Sequence, residues 1–152
     1  MAGEHDVARK CEDAWAGVIA SLQGSDLADV TVHKGFGGAD IEAPALTILA
    51  RTGAPEIVGE TVTGNWTVEM ELTLVSYKAR GRTAHAADEA ALQDILMRHD
   101  IPTQIGSLAG SADVADFQCF DWTPGGFERR VEDERFETEM RGTMYCCVED
   151  AS

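Results

Sequence analysis

Two acidic side chains, Glu69 and Glu71, stand two residues apart in the stretch WTVEMELTLV, which covers residues 66 to 75. Apolar and polar residues alternate there, which is the pattern of a β-strand with one face in a core and the other in water. Both glutamates lie on the polar face, about 7 Å apart along the strand. Such a pair suggests an acid–base couple, a metal site or the acidic lining of a larger surface.

The two glutamates do not fit the chemistry of glycosidic bond cleavage. Retaining glycosidases hold two carboxyl groups about 5 to 5.5 Å apart, facing the sugar from opposite sides. Neighbouring residues on one strand face point the same way, and no aromatic residue of WTVEMELTLV accompanies them on that face. The sequence therefore favours a solvated or interface surface over a catalytic pair.

The histidines and cysteines show no spacing that predicts a metal site. His85 and His99 flank a predicted helix and lie about four turns apart, so they cannot share one metal ion. Cys146 and Cys147 are adjacent and would point to opposite faces of a strand. The sequence contains no CxxC, HxxxH, HExxH or G-x-S-x-G motif. We expect no catalytic residue, no metal and no cofactor.

One glycine-rich stretch, GFGGAD at 35–40, invites comparison with a phosphate-binding loop. It lacks the lysine–serine pair of a P-loop and the spacing of a dinucleotide fingerprint, and no long helix is predicted after it. We expect a loop tip at this position. A small acidic ligand-binding or enzyme domain is one alternative function, with its pocket under GFGGAD and under SLAGSAD at 107–113.

Charge is the strongest compositional feature, since 27 acidic against 12 basic residues give a net charge of -15. Such a field repels nucleic acid and anionic membrane surfaces. The 152 residues predict a single domain over 1–152 with a sizeable core, and no apolar run is long enough to span a membrane. The first residues lack the apolar core of a signal peptide, so the four cysteines are expected to be free, mostly buried thiols in a cytoplasm.

The elements that position these residues follow from the periodicity of the chain. Residues 7–22 carry a helical apolar stripe with Gly24 as its expected C-terminal cap, and residues 84–97 predict a second helix capped by Thr83. Strands are predicted at 30–33, 44–52, 66–77, 115–122 and 135–148. A glycine-rich connection that can include a hairpin tip is predicted at 53–65, and a turn at TPGG, 123–126. This order predicts an α+β fold: a mixed, mainly antiparallel sheet of four to six strands with two helices packed on one face.

The strand at 135–148 is the predicted mate of the strand that carries the two glutamates. Its apolar face holds Phe136 and Met140, which we expect to share the core with Trp66, Met70 and Leu72. Its other face alternates in charge. The two strands together predict a charged surface comprising Glu69, Glu71, Arg135, Glu137, Glu139 and Arg141.

The order of elements resembles that of small tail-terminator proteins of long-tailed bacteriophages. The similarity lies in an N-terminal helix, a strand ending in ALTILAR, the long strand NWTVEMELTLVSYKARG, the helix AHAADEAALQDILM, and FQCFDWTPGGFERR before a terminal strand. It spans roughly residues 5 to 148. It includes no invariant motif, so it assigns no functional residue.

The resemblance implies a non-catalytic virion protein, assembled in the host cytoplasm, that forms a homo-oligomeric and typically hexameric ring. Such a ring ends the tail tube and joins the tail tube protein to the head connector and neck proteins. DNA would pass through without specific binding, because like charges repel. The charged surface would then face a lumen or a neighbouring subunit, and exposure of this surface to bulk solvent is an equally weighted hypothesis. The sequence is also compatible with another neck component, a head-closure or connector protein, and with an adaptor that works as a monomer or dimer.

Overall fold

The computed structural model describes residues 6–24, 26–36, 43–108 and 117–148. The elements in chain order are α1 (Val7–Leu22), β1 (Thr31–Lys34), β2 (Ala45–Val58), β3 (Thr61–Tyr77), a 3₁₀ turn (Lys78–Arg80), α2 (Arg82–Leu96), α3 (Ile101–Gly106), β4 (Phe117–Val131) and β5 (Arg135–Val148). The five strands form one sheet in the order β1-β2-β3-β5-β4. The β1–β2 pair is parallel and the other three pairs are antiparallel, which confirms the predicted α+β fold.

The core lies between the helices and one face of the sheet. Trp15 of α1 is fully buried, and its indole Nε1 donates to the Met144 sulfur at 3.2 Å. The Trp15 ring meets Trp122 of β4 edge to face, with centroids 4.5 Å apart. Trp122 Nε1 in turn donates to the Leu96 carbonyl at 2.8 Å, which ties β4 to the end of α2. The strand residues buried beneath the helices include Leu46, Ile48, Val68, Met70, Leu72, Leu74, Met140, Met144 and Cys146.

Helix α1 has the predicted bounds, and α2 begins earlier than predicted. Asp6 caps α1 by accepting a hydrogen bond from the Arg9 amide, and Gly24 after the helix has the positive φ of +58° expected of a terminating glycine. The predicted cap of α2, Thr83, is wrong. Gly81, with a φ of +99°, turns the chain between the 3₁₀ turn and the helix, which leaves Thr83 inside the first helical turn.

Most of residues 53–65 lies in strands, so the predicted length of the glycine-rich connection is wrong, but the hairpin tip expected within it is confirmed. The turn between β2 and β3 consists of Gly59 and Glu60 alone. The β2–β3 register shifts between Ala50 and Thr52, where β2 has one extra residue and forms a bulge, and again between Pro55 and Ile57, where β3 has two extra residues. Proline is tolerated in a strand at such irregular positions. The glycines and the proline therefore mark irregularities of one long hairpin.

The sequence TPGG at 123–126 lies inside β4 and does not form the predicted turn. The β4–β5 register shifts between Pro124 and Phe127, which is again a bulge. Strand β4 lies at the edge of the sheet, where a missing proline N–H is tolerated. Across from it, a Cβ on Gly142 would lie only 2.1 Å from the Trp122 ring, so the indole packs directly on the glycine.

The predicted core is confirmed at Met70, Leu72 and Met140, which are buried, whereas Trp66 and Phe136 are half-buried. Both of these aromatic side chains line open pockets, Phe136 beside α2 and Trp66 beside the start of α1. The predicted burial of cysteines is confirmed at Cys11, Cys119 and Cys146.

Most of GFGGAD and of SLAGSAD lies outside the described residues. In the described part of the chain, no helix is both long and apolar enough to cross a membrane.

Candidate functional site

The charged surface predicted from the sequence lies on the sheet face opposite the helices, here called the open face. Glu71 lies directly across from Arg141 of β5, and Arg51 Nε approaches its carboxylate at 3.8 Å. Glu69 is exposed and accepts a hydrogen bond from Thr52 Oγ1 at 3.0 Å. It forms no ion pair with any residue that the structure describes. The fold thus gives Glu71 basic neighbours and leaves the charge of Glu69 uncompensated.

Glu139 is not a solvated residue of the open face, because it is only 4% exposed. Two guanidinium groups lie over it and donate to its carboxylate, Arg141 from Nε at 2.6 Å and Arg130 at 2.8 Å. Burial opposes ionisation, but these bonds outweigh it and hold the pKa of Glu139 below its usual value. The predicted wet position is therefore the buried anion of an ion-pair cluster.

Arg130 joins the acidic side chains of this cluster. No sequence pattern identifies it. Its guanidinium approaches Glu128 at 3.6 Å and Glu137 at 3.8 Å in addition to its bond with Glu139. It was missed because β4 was predicted to end at residue 122. Arg135 stands apart at the start of β5, with its guanidinium 5.7 Å from the centre of the Tyr77 ring.

Aromatic side chains join the open face near the β2–β3 hairpin. Tyr145 donates its hydroxyl to Glu56 at 2.9 Å, and Asn65 Nδ2 donates to the same carboxylate at 2.8 Å. The hydrogen bonds from Asn65 and then Tyr145 lower the pKa of Glu56. The Phe120 ring packs against Tyr145 with centroids 5.4 Å apart. The sequence around Glu69 could not show these rings, because they come from neighbouring strands.

A buried hydrogen-bond network lies on the other face of the sheet, beneath α2. Thr138 Oγ1 donates to Glu89 at 2.6 Å, and Arg129 donates hydrogen bonds to the same carboxylate from Nε and Nη2. His85 bonds through Nε2 to Thr138 Oγ1 at 3.0 Å and through Nδ1 to Ser76 Oγ at 2.9 Å. Because the Thr138 proton points at Glu89, His85 must donate from Nε2 and accept the Ser76 proton at Nδ1.

Ser76 and His85 are the residue types of a nucleophile and its general base, but a substrate has no access to them. Ser76 and Thr138 are fully buried, so a substrate cannot reach either hydroxyl. Burial lowers the pKa of His85, which favours the neutral ring, and the hydrogen bond from Arg129 lowers the pKa of Glu89. Within the described residues, no buried side-chain nitrogen or oxygen lacks a partner. The geometry is that of a structural network that joins α2 to β3 and β5.

A pocket of about 360 Å³, here called the α2 pocket, opens beside this network at the end of the sheet where β3 and β4 finish. Arg82 lies on its rim, with its guanidinium 6.0 Å from the centre of the Phe136 ring. The lining residues include Arg82, Ala86, Arg129, Arg130, Val131, Phe136 and Glu137. No described residue of GFGGAD or SLAGSAD lines this pocket, and most of both stretches, under which a ligand pocket was expected, lies outside the described residues.

The described residues contain no group of three or more His, Cys, Asp or Glu side chains placed to hold a metal ion. A scan of the chain against protein-family models found no match, and a search of curated proteins found none either. The functional inference therefore depends on the open face, the β2–β3 hairpin and the α2 pocket.

Proposed function

We propose that this protein is a non-catalytic structural protein of a long-tailed bacteriophage virion, a tail terminator that forms a ring on the end of the tail tube. The sequence resemblance suggests this role. The α+β fold, with helices on one sheet face, agrees with the fold that the resemblance implies.

The observation that carries the proposal is the open face of the sheet. Most of its charged side chains are paired with one another, and Glu139 is buried as an ion under Arg130 and Arg141. Burying an ion costs desolvation energy, and our hypothesis is that this cluster is retained because it fixes the geometry of the face. An extended face with fixed charges suits contact with another protein subunit better than it suits a small substrate.

The net charge supports a position next to DNA in which the protein does not bind the DNA. A ring subunit with a charge of -15 presents a repulsive field to the phosphate backbone. Glu69, exposed and without a cation in the described part of the chain, is a suitable lumen residue. DNA would then pass through the ring without being bound.

A small enzyme domain is the weaker candidate. Its best support is the pairing of Ser76 with His85, and the complete burial of Ser76 removes that support. The features named above are also compatible with a head-side neck protein, so the two neck positions must be separated by experiment.

The test is binding of the purified protein to tail tubes assembled from the tail tube protein of the same genome. We expect the protein to stop tube growth and to appear by negative-stain electron microscopy as a ring at one end of each tube. Unchanged tube lengths with no bound ring would overturn the proposal. Binding to isolated head connectors without binding to tubes would instead indicate the head-side neck component.

A further inference from the structure

We infer that the tip of the β2–β3 hairpin of one copy docks in the α2 pocket of a second copy, so that the ring closes head to tail. The hairpin tip is residues 57–62. This inference rests on the proposed ring and names the surfaces that build it. It needs no group beyond two copies of this chain.

The hairpin tip presents an apolar pair to solvent. Ile57 and Val62 are direct partners in the β2–β3 register, so their side chains project side by side from one face of the sheet. They are 57% and 63% exposed. Two adjacent exposed branched side chains at the end of a projecting hairpin form a knob that a partner surface can cover.

The α2 pocket presents a matching apolar wall. Val131 and Phe136 are direct partners in the β4–β5 register, and Val131 is 70% exposed. Phe136 faces α2 on the helix-covered side of the sheet. Strand β4 is an edge strand, so its backbone can also bond to an added strand.

Charge complements the apolar match. The hairpin tip carries one charged residue, the exposed Glu60, and no lysine or arginine. The α2 pocket is lined by three arginines, at 82, 129 and 130, against two glutamates, at 89 and 137. Arg82 forms no ion pair with any described residue, although the chain has more than two acids for each base. The Arg82 guanidinium and the exposed Glu60 of the tip are therefore of opposite sign.

The two surfaces lie at opposite ends of the same molecule. Strand β3 starts at the hairpin tip with Thr61 and ends with Tyr77, which pairs with Arg135 beside the α2 pocket. The knob of one chain cannot reach its own pocket across the length of the sheet. Contact between copies is then heterologous, and repetition of one heterologous contact produces a closed ring or a filament.

The test uses two variants of the full chain, each altered at an exposed residue. Ile57→Asp places a charge in the apolar knob, and Val131→Asp places a charge in the apolar wall of the pocket. We expect wild-type protein to form rings by mass photometry, and each variant alone to need at least about ten-fold more protein to assemble. An equal mixture of the two variants retains one intact knob and one intact pocket, so it should give dimers and nothing larger.

Two control variants sharpen the result, and circular dichroism checks that all variants are folded. Met97→Asp places the same charge at an exposed apolar residue that lies outside both the hairpin tip and the α2 pocket, and should leave the rings intact. Glu132→Gln removes an exposed acid from the β4–β5 turn near the pocket, and should leave assembly unchanged or stronger because Glu132 repels the acidic tip.

Rings formed equally well by both variants, a mixture that stays monomeric, or a wild-type protein that never assembles would overturn the inference. A monomeric wild type that still caps tail tubes would leave the proposed function standing. Rings that assemble through knob and pocket but never bind tubes would overturn the proposed function and leave this interface.

Discussion

The two faces of the sheet are built by the same strands and have opposite properties. In β3, Met70 and Leu72 are buried under the helices, while Glu69 and Glu71 point to the open face. The covered face is apolar and closed, and the open face is charged and accessible. The alternation of residues along one strand thus separates the groups that stabilise the fold from those that we assign to assembly.

The two faces also differ in how their polar groups are paired. On the covered face, Ser76, His85, Thr138 and Glu89 satisfy one another completely, because a buried polar group without a partner is costly. On the open face, Glu69 and Glu71 can exchange their present partners for those of another molecule. Substitutions of buried residues on the covered face should therefore affect stability, and substitutions on the open face should affect assembly.

The largest effect is expected from the covered face of β3. Leu72 is fully buried, so Leu72→Ala should lower the free energy of unfolding by about 2 to 5 kcal/mol through lost burial and a residual cavity. Urea denaturation followed by tryptophan fluorescence gives this value. Thr67→Ala on the open face of the same strand is the control, with an expected change within about 0.5 kcal/mol. Equal effects at the two positions would mean that the faces are assigned the wrong way round.

A smaller loss is expected from the polar network under α2. Glu89→Ala leaves the buried Thr138 hydroxyl without its acceptor, which should cost about 1 to 3 kcal/mol. Glu128→Ala removes an exposed carboxylate of the open face that has only a long ion pair with Arg130, and should cost less than about 0.5 kcal/mol. Chemical denaturation of both variants checks the difference. A Glu89 variant as stable as wild type would show that the network contributes nothing to the fold.

A pH-dependent loss of stability should come from His85, and it should be smaller again. Burial lowers its pKa in the folded state below the value of 6.5 for a free histidine. The unfolded chain then binds more protons as pH falls below 6.5, so the folded state loses stability there and is favoured above it. The melting temperature should fall between pH 7 and pH 5 in wild type and fall less in His85→Gln. Parallel curves for the two proteins would contradict this assignment.

Some of the fold is predictable from the sequence because its signals are local. The apolar stripe of residues 7–22 and the alternation of residues 135–148 give both elements with their correct bounds. The signals at Pro55 and at TPGG mislead because a bulge and a turn use the same residue types. Only the partner strand decides which of them forms, and that information is not local.

The candidate site likewise has parts that local sequence predicts and parts that depend on tertiary contacts. Alternation places Glu69, Glu71, Glu137 and Arg141 on one face without knowledge of the tertiary structure. The burial of Glu139 depends on Arg130, which comes from a strand on the other side of the β4–β5 turn. The bond between His85 and Thr138 joins residues 53 positions apart in the chain, so no local pattern predicts it.

The central claim is that the open face serves assembly and not folding, and Glu69 and Glu71 test it most directly. The measurement compares Glu69→Lys combined with Glu71→Lys against wild type, by thermal unfolding of the purified protein and by counting completed particles. Opposite Arg51 and Arg141, the second change costs some ion pairing, so we expect a stability loss of about 1 kcal/mol or less. The account predicts a folded protein and a marked fall in DNA-retaining particles. Normal particle numbers from the folded double variant would contradict it and would place both glutamates in bulk solvent.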